Sequence, residues 1–290
     1  GRIIGFLKNN FDAVLNPNNP IIKMGFWPGG DRDGNPFVNA ATSLQVAHAL
    51  RGSAIKCYYL DVRKLKRRLT FKGVDVALTQ LEKKLYDNLF IPGRLCDISK
   101  QEILTSLQNI RHQLVYDHNS LFVSQVDALI NKIEVFGLYF ASLDIRQDSS
   151  IHTKTIQTLA ANSVGLSKDY IDYSDSQKIE ALTQLTVTDT SAVSWNNDVE
   201  KDVLEVMLAV KAIQLSNGEL GCNRYIISQC NSAVNMFEVL GMFLIAGWEK
   251  ETLTVDIIPL FETIDDLKNA AEIMQTLYTN ETYKTHLKRR

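Results

Sequence analysis

Apolar positions recur at two periods along the chain. Four short runs, Ile21–Trp27, Gly137–Ile145, Arg224–Gln229 and Val255–Glu262, are rich in β-branched and aromatic residues and read as strands. Between them the period lengthens to that of a helix. Leu44, Ala47, Ile55, Tyr58, Val62 and Leu65 share one face from Asn39 to Arg68, and Leu78, Leu81, Leu85 and Leu89 mark the next helix. Ile91-Pro92-Gly93 then breaks the chain. Ser99-Lys100-Gln101-Glu102 has the spacing of a capping box, with Ile103, Leu107, Ile110 and Leu114 on one face behind it. A further helix over Leu121–Glu134 can stop at Gly137 in left-handed conformation. Helices are also predicted over Ile151–Ala161, Asp175–Gln184, Asn197–Ser216, Ser232–Ala246 and Asp265–Tyr278, with Gly218 and Gly247 at C-terminal cap positions. Residues 186–196 read as a long loop.

The order is strand, several helices, strand, several helices, strand, helix, strand, helix. Such alternation favours parallel strands with helical crossovers. Large helical insertions, the longest over about 39–136, fit a barrel or part of one better than a plain doubly wound sheet. The expected class is α/β and predominantly helical: a partial (β/α)8 TIM-type barrel of about four parallel strands in a single segment over 1–290.

In a parallel barrel, chemistry gathers at the C-terminal strand ends. Leu143 and Ile145 share one strand face, whereas Ser142, Asp144 and Arg146 share the other. Arg146 is thereby placed at the mouth with Asp144 below it as an orienting partner. A guanidinium there suits bidentate binding of phosphate or carboxylate; a purely structural Asp–Arg pair is the alternative. Glu262 closes its strand, where a carboxylate suits a hard divalent ion, and Thr263 can cap the helix that follows. Asp265 and Asp266 read as first-turn charges favoured by the helix dipole. Ser228 and Gln229, at a third strand end, can bond a ligand or cap a helix. Phe26-Trp27-Pro28-Gly29-Gly30-Asp31-Arg32-Asp33-Gly34-Asn35-Pro36 forms a loop that can bring backbone close to an anion while two acids hold one guanidinium.

Composition narrows the class. The chain is 290 residues long, 45% apolar and 22% charged, with a net charge of -2. That balance is ordinary for a globular protein and lacks the basic surplus expected of a nucleic-acid or anionic-membrane partner. No apolar run is long enough to span a membrane, and no signal-peptide pattern is visible. Cys57, Cys96, Cys222 and Cys230 show no CxxC spacing and read as buried, reduced thiols of a cytoplasmic protein. The five histidines are scattered, most of them on predicted helices, and read as surface or core residues. GxSxG, P-loop and GxGxxG motifs are absent.

Three segments in this order, Gly29–Pro36, Leu143-Asp144-Ile145-Arg146-Gln147 and Pro259-Leu260-Phe261-Glu262-Thr263-Ile264-Asp265-Asp266-Leu267, resemble phosphoenolpyruvate carboxylase. The likeness runs from about Ile21 to Ala271. It implies a (β/α)8 barrel embedded in extra helices, of which this chain would hold the second to fifth strands. The implied reaction, that of a carbon–carbon lyase, joins phosphoenolpyruvate and bicarbonate to give oxaloacetate and phosphate with Mg²⁺ or Mn²⁺. By the resemblance, Arg146 is a catalytic and substrate-binding arginine on the phosphate and Glu262 is one of two metal carboxylates. Arg32 is carried over as a further substrate-binding residue, and Gly29, Gly30, Asp31, Asp33 and Asp144 shape the site. A full-length homo-oligomer in the cytoplasm is also implied.

Departures from the family pattern bear on activity. The Thr-Ala-His-Pro-Thr-Glu motif with the catalytic histidine is missing, and so is the Gly-Tyr-Ser-Asp-Ser motif with the second metal ligand. Pro28 stands where Met is common, and Val234-Asn235 where Ser-Asp is usual. The chain is thus expected to be an inactive internal piece with an incomplete metal site. Two alternatives stay open: another Mg²⁺-dependent barrel enzyme acting on phosphoenolpyruvate or pyruvate, and a non-catalytic, truncated interaction module.

Overall fold

The computed structural model describes residues 23–290 together with Asn10. Two compact units account for residues 47–141 with 216–221, and 26–46 with 142–215 and 222–290.

The first unit is helical. It draws on α1 (Ala40–Lys66), α2 (Val74–Phe90), α3 (Lys100–Asp117) and α4 (Val123–Phe136). Their apolar stripes meet in one core: Tyr58, Val62 and Leu65 from α1, Leu78, Leu81 and Leu85 from α2, Ile103, Leu107 and Ile110 from α3, and Leu129 and Ile133 from α4. The Ser99–Glu102 capping box forms as expected, satisfying the N–H groups at both ends of the motif. Gly137 ends α4, but at φ 50° and ψ -141°, outside the left-handed helical region expected for it. Arg51 is fully buried and donates to the carbonyls of Leu95 (2.7 Å), Ile98 (2.5 Å) and Ser216.

The second unit is built on a four-stranded sheet in the order β1 (Gly25–Phe26), β2 (Ser142–Asp148), β3 (Arg224–Ser228) and β4 (Asp256–Pro259). The pairs β2–β3 and β3–β4 are parallel. Its helices are α5 (Ser149–Ala161), α6 (Asp175–Thr183), α7 (Asp198–Asn217), α8 (Ala233–Ile245), α9 (Ile264–Thr279) and α10 (Glu281–Leu287), with a short 3-10 helix at Lys168–Asp172. Of these, α10 and the 3-10 helix have no counterpart in the sequence reading. Every residue of α8 is buried, Asn235 and Glu238 among them, in a helix that is otherwise apolar.

Three strands differ from expectation. Only Gly25–Phe26 of the first is extended, and Ile21 and Ile22 lie outside the described residues. The second starts and ends later than expected. Phe140 has φ 62°, and residues 138–141 form turns rather than ladder. The fourth ends at Pro259, which leaves Glu262 in the loop beyond it.

Register divides the sheet into two faces. Ile145, Tyr225 and Ile257 are cross-strand neighbours and buried, as are Leu143 and Ile227 on the same side. On the other side Asp144, Arg224 and Asp256 form a row of alternating charge. Arg224 Nε lies 2.7 Å from Asp144, and Arg290 Nε lies 2.6 Å from Asp256. Opposite charges on facing residues stabilise such a ladder.

On the apolar side, α5 buries His152 completely, with its Nε2 2.9 Å from the Tyr225 hydroxyl. Burial, reinforced by the Arg32 charge, holds the imidazole down to about 3. The folded state therefore keeps His152 neutral, while the unfolded chain takes up a proton near pH 6.5. This depressed pKa contributes stability above pH 6.5 that is lost as pH falls toward 3, at about 1.4 kcal/mol per pH unit. We predict that His152→Gln, titrated with urea between pH 7 and 4.5, shows a shallower fall in stability than the parent. Parallel pH profiles would refute it.

Candidate active site

The glycine loop closes against β2 through the backbone. The Trp27 carbonyl accepts from Gly30 N (2.9 Å) and Asp31 N (3.1 Å), with Gly29 at φ 84°. Residues 30–32 then run parallel to β2. Arg146 N donates to Gly30 O, and Arg32 N donates to Arg146 O, each at 2.9 Å. At Gly30 the approach is so close that a Cβ would sit 2.0 Å from the Asp144 carbonyl oxygen. Only glycine fits there.

Extended backbone sends alternate side chains to opposite sides. Asp31 and Asp33 point to Arg146, contacting Nε at 2.9 Å and Nη2 at 3.1 Å. Arg32 points the other way, is buried, and meets Asp202 of α7 at 2.5 Å. The two acids thus hold Arg146 and not their neighbour Arg32, which corrects the expectation from sequence. Asp144 does not orient Arg146 either, because its partner is Arg224. Burial raises the Asp144 carboxyl above its ordinary value, against the opposing pull of Arg224 and a hydrogen bond from Trp27. The Trp27 ring lies 5.3 Å from the Arg146 guanidinium carbon, within cation–π reach.

Glu262 completes the group, 3.8 Å from Arg146 Nη1. Its loop is fixed by the capping box at the start of α9. Thr263 accepts from Asp266 N, and the Asp266 carboxylate accepts from Glu262 N (3.2 Å) and Thr263 N (3.0 Å). These backbone donors, Thr263 foremost, hold the Asp266 carboxyl below its usual range. Arg146 therefore has three carboxylates around it, two of them in tight contact. The same attraction, outweighing partial burial, raises the Arg146 pKa.

Asp202 is the site residue that sequence reasoning missed. Its Oδ2 holds Arg32, and its Oδ1 accepts from Ala40 N (3.0 Å), the first residue of α1. One carboxylate thus ties the glycine loop to two helix segments. Beside this pair opens a cleft of about 920 Å³, lined among others by Asp33, Gln147, Asp148, Lys201, Asp202 and Gln229. It lies at the C-terminal ends of β2 and β3. Ser228, buried at the end of β3, has no hydrogen-bond partner for its hydroxyl among the described residues, whereas Gln229 faces the cleft at φ 51°. No cluster of three or more His, Cys, Asp or Glu side chains able to hold a metal occurs among the described residues.

Comparison with known proteins decides the family. The family model for phosphoenolpyruvate carboxylase matches residues 2–94 and 94–290. The chain belongs to the phosphoenolpyruvate carboxylase family. A phosphoenolpyruvate carboxylase of Prochlorococcus marinus subsp. pastoris is 28% identical over 99% of this chain and 35% of its own length. One from Nitrosomonas eutropha is 26% identical over 100% of this chain and 36% of its own length. The chain thus spans about a third of the curated phosphoenolpyruvate carboxylases it matches.

Two stability predictions follow from this geometry. Asp202→Ala leaves Arg32 buried without its counterion and should cost about 3–5 kcal/mol in chemical unfolding, whereas Asp265→Ala, which removes an exposed pair with Lys268, should cost under about 1 kcal/mol. Equal losses would show that the Arg32 pair is not structural. Gly30→Ala should destabilise by at least about 1–3 kcal/mol through its clash with Asp144. A Gly30→Ala protein with parental stability would contradict the tight approach.

Proposed function

We propose that this chain is an internal barrel segment of a phosphoenolpyruvate carboxylase, supplying its strands two to five. The whole protein would join phosphoenolpyruvate and bicarbonate to give oxaloacetate and phosphate, with Mg²⁺ or Mn²⁺. The reading rests on one observation above all: the Arg146 guanidinium at the sheet's C-terminal end is fixed along one edge by Asp31 and Asp33. Its Nη1, with Glu262 no nearer than 3.8 Å, keeps hydrogen-bonding capacity for an oxyanion. Four parallel strands in chain order, with all the named groups at one end, support a barrel mouth as the setting.

In this reading Arg146 binds the substrate phosphate and Trp27, Asp31 and Asp33 set its orientation. Arg32 acts from behind the loop through Asp202. Glu262 offers one metal ligand, and the described residues do not complete the set. A homo-oligomer in the cytoplasm is part of the same proposal. Free thiols at Cys57, Cys96, Cys222 and Cys230 suit a reducing compartment, although Cys57 and Cys96 are exposed and not buried as expected.

In the full-length protein, Arg146→Ala should lower oxaloacetate formation by about 10²–10³, the cost of removing one donor to developing charge. Arg146→Lys should restore little, because an ammonium lacks the planar fork. Turnover near the parental rate would remove Arg146 from the chemistry. The tight hold of Asp31 and Asp33 favours a second reading, in which the Arg146 group is only a structural tie in a non-catalytic module. On that reading the same substitution lowers stability and no carboxylation is seen in the parent. The 290-residue chain alone should form no oxaloacetate in an assay coupled to NADH oxidation.

A further inference from the structure

The helix that follows β4 carries two apolar faces, and only one of them is covered. In α9, Ile273 and Leu277 are buried together with Asp266, the capping carboxylate. Ile264, Leu267, Ala271, Met274 and Tyr278 recur at spacings of three and four, which sets them in one stripe about 120° around the helix from the buried face. Ile264 is 74% exposed, Leu267 60% and Tyr278 51%; Ala271 is exposed and Met274 half-buried. Asp265, Lys268, Asn269, Glu272 and Thr276 occupy the remaining face. Single apolar residues are ordinary on a surface, but a continuous stripe set apart from the polar face marks a contact.

Among the described residues β4 pairs with β3 alone and forms one end of the sheet. The helices that follow β2, β3 and β4 are α5, α8 and α9, and each packs on the next. We propose that the α9 stripe seats one further helix of the same polypeptide in the whole protein, the helix that follows a fifth parallel strand beside β4. This inference rests on the barrel-segment reading above. Right-handed crossovers would set that helix alongside α9 and parallel to it. A second copy of the chain fits less well. Separate partners usually bring about 20–30 residues each to a stable interface, whereas the stripe offers five. A helix of the same polypeptide loses no independent translational and rotational freedom on docking. The chain spans 35% of the length of its Prochlorococcus relative, so a whole protein of that length has sequence enough to supply it. Ala271 lies at the centre of the stripe, and its small side chain leaves a hole for one large apolar residue. The occupant is therefore an amphipathic helix with apolar residues at the same spacing.

Cysteine accessibility in the whole protein tests this. Leu267→Cys on the stripe and Asn269→Cys on the polar face are treated with a maleimide. Mass spectrometry of the α9 peptide follows the reaction apart from the exposed thiols Cys57 and Cys96. Relative to the same protein unfolded in urea, Leu267→Cys should react at least about a hundredfold more slowly, because a covered site reacts only on local opening. Asn269→Cys should react at close to the unfolded rate. Ala271→Cys, a small change in volume, keeps the test valid should Leu267→Cys fold poorly. Stripe cysteines that react as fast as Asn269→Cys would overturn the inference. So would protection that disappears on dilution to the monomer, since a second copy would then be the cover. Oxaloacetate formation is measured on the parent alongside. Carboxylation with a reactive stripe overturns this inference alone, whereas protection without carboxylation upholds it and counts against the carboxylase reading.

Discussion

The pairing of residues 30–32 with Arg146 governs the polar end of the sheet. It requires the Gly30 backbone to lie against the Asp144 carbonyl at a distance no side chain permits. Once that contact is made, strand alternation dictates the rest. Asp31 and Asp33 must face Arg146, and Arg32 must turn inward. The backbone ladder, more than the attraction of neighbouring charges, assigns the ion pairs.

The two arginines then experience different physics. Arg32 is removed from water, and its side chain has one counterion, Asp202. Loss of either partner strands a buried charge, so the pair is an obligatory tie whatever its net contribution to stability. Arg146 is partly exposed and its ion pairs are screened by solvent. Each contributes less to folding, which leaves the guanidinium freer to exchange partners. Fixed position and retained access suit a binding group; full burial suits a structural one. On the proposed reading Arg146 is the binding group and Arg32 the structural tie.

Much of this fold was legible because its signals are local. The Ser99 and Thr263 capping boxes need only a four-residue pattern, and both form. The glycines at 218 and 247 follow their helices with positive φ. Period alone placed the stripes of α1 to α3. Strand edges were less legible, because Leu138–Ala141 has strand-like residues yet turns at Phe140, where φ is positive. Partner choice was the least legible. Asp144 and Arg146 share a strand face, yet Arg224 is the cross-strand neighbour of Asp144 and takes it. Asp202 reaches Arg32 across 170 residues, and nothing in the sequence around α7 marks that contact. Such pairings depend on register and tertiary approach, which one sequence does not encode locally.

Charge balance at Arg146 bears on the proposed chemistry. One guanidinium stands among three carboxylates, leaving a negative surplus wherever all are ionised. A phosphate anion approaching Nη1 would meet that surplus, Glu262 above all, since it lies on the open edge. Attraction by Arg146 alone cannot outweigh three like charges at similar distances. Binding of a phosphorylated substrate here therefore calls for added positive charge beside Glu262, from a divalent ion or from arginines elsewhere in the whole protein. A divalent cation held by Glu262 would cancel this surplus of two negative charges and leave Arg146 to attract the phosphate. On the proposed reading, metal and substrate bind in support of each other, because each removes a charge that opposes the other.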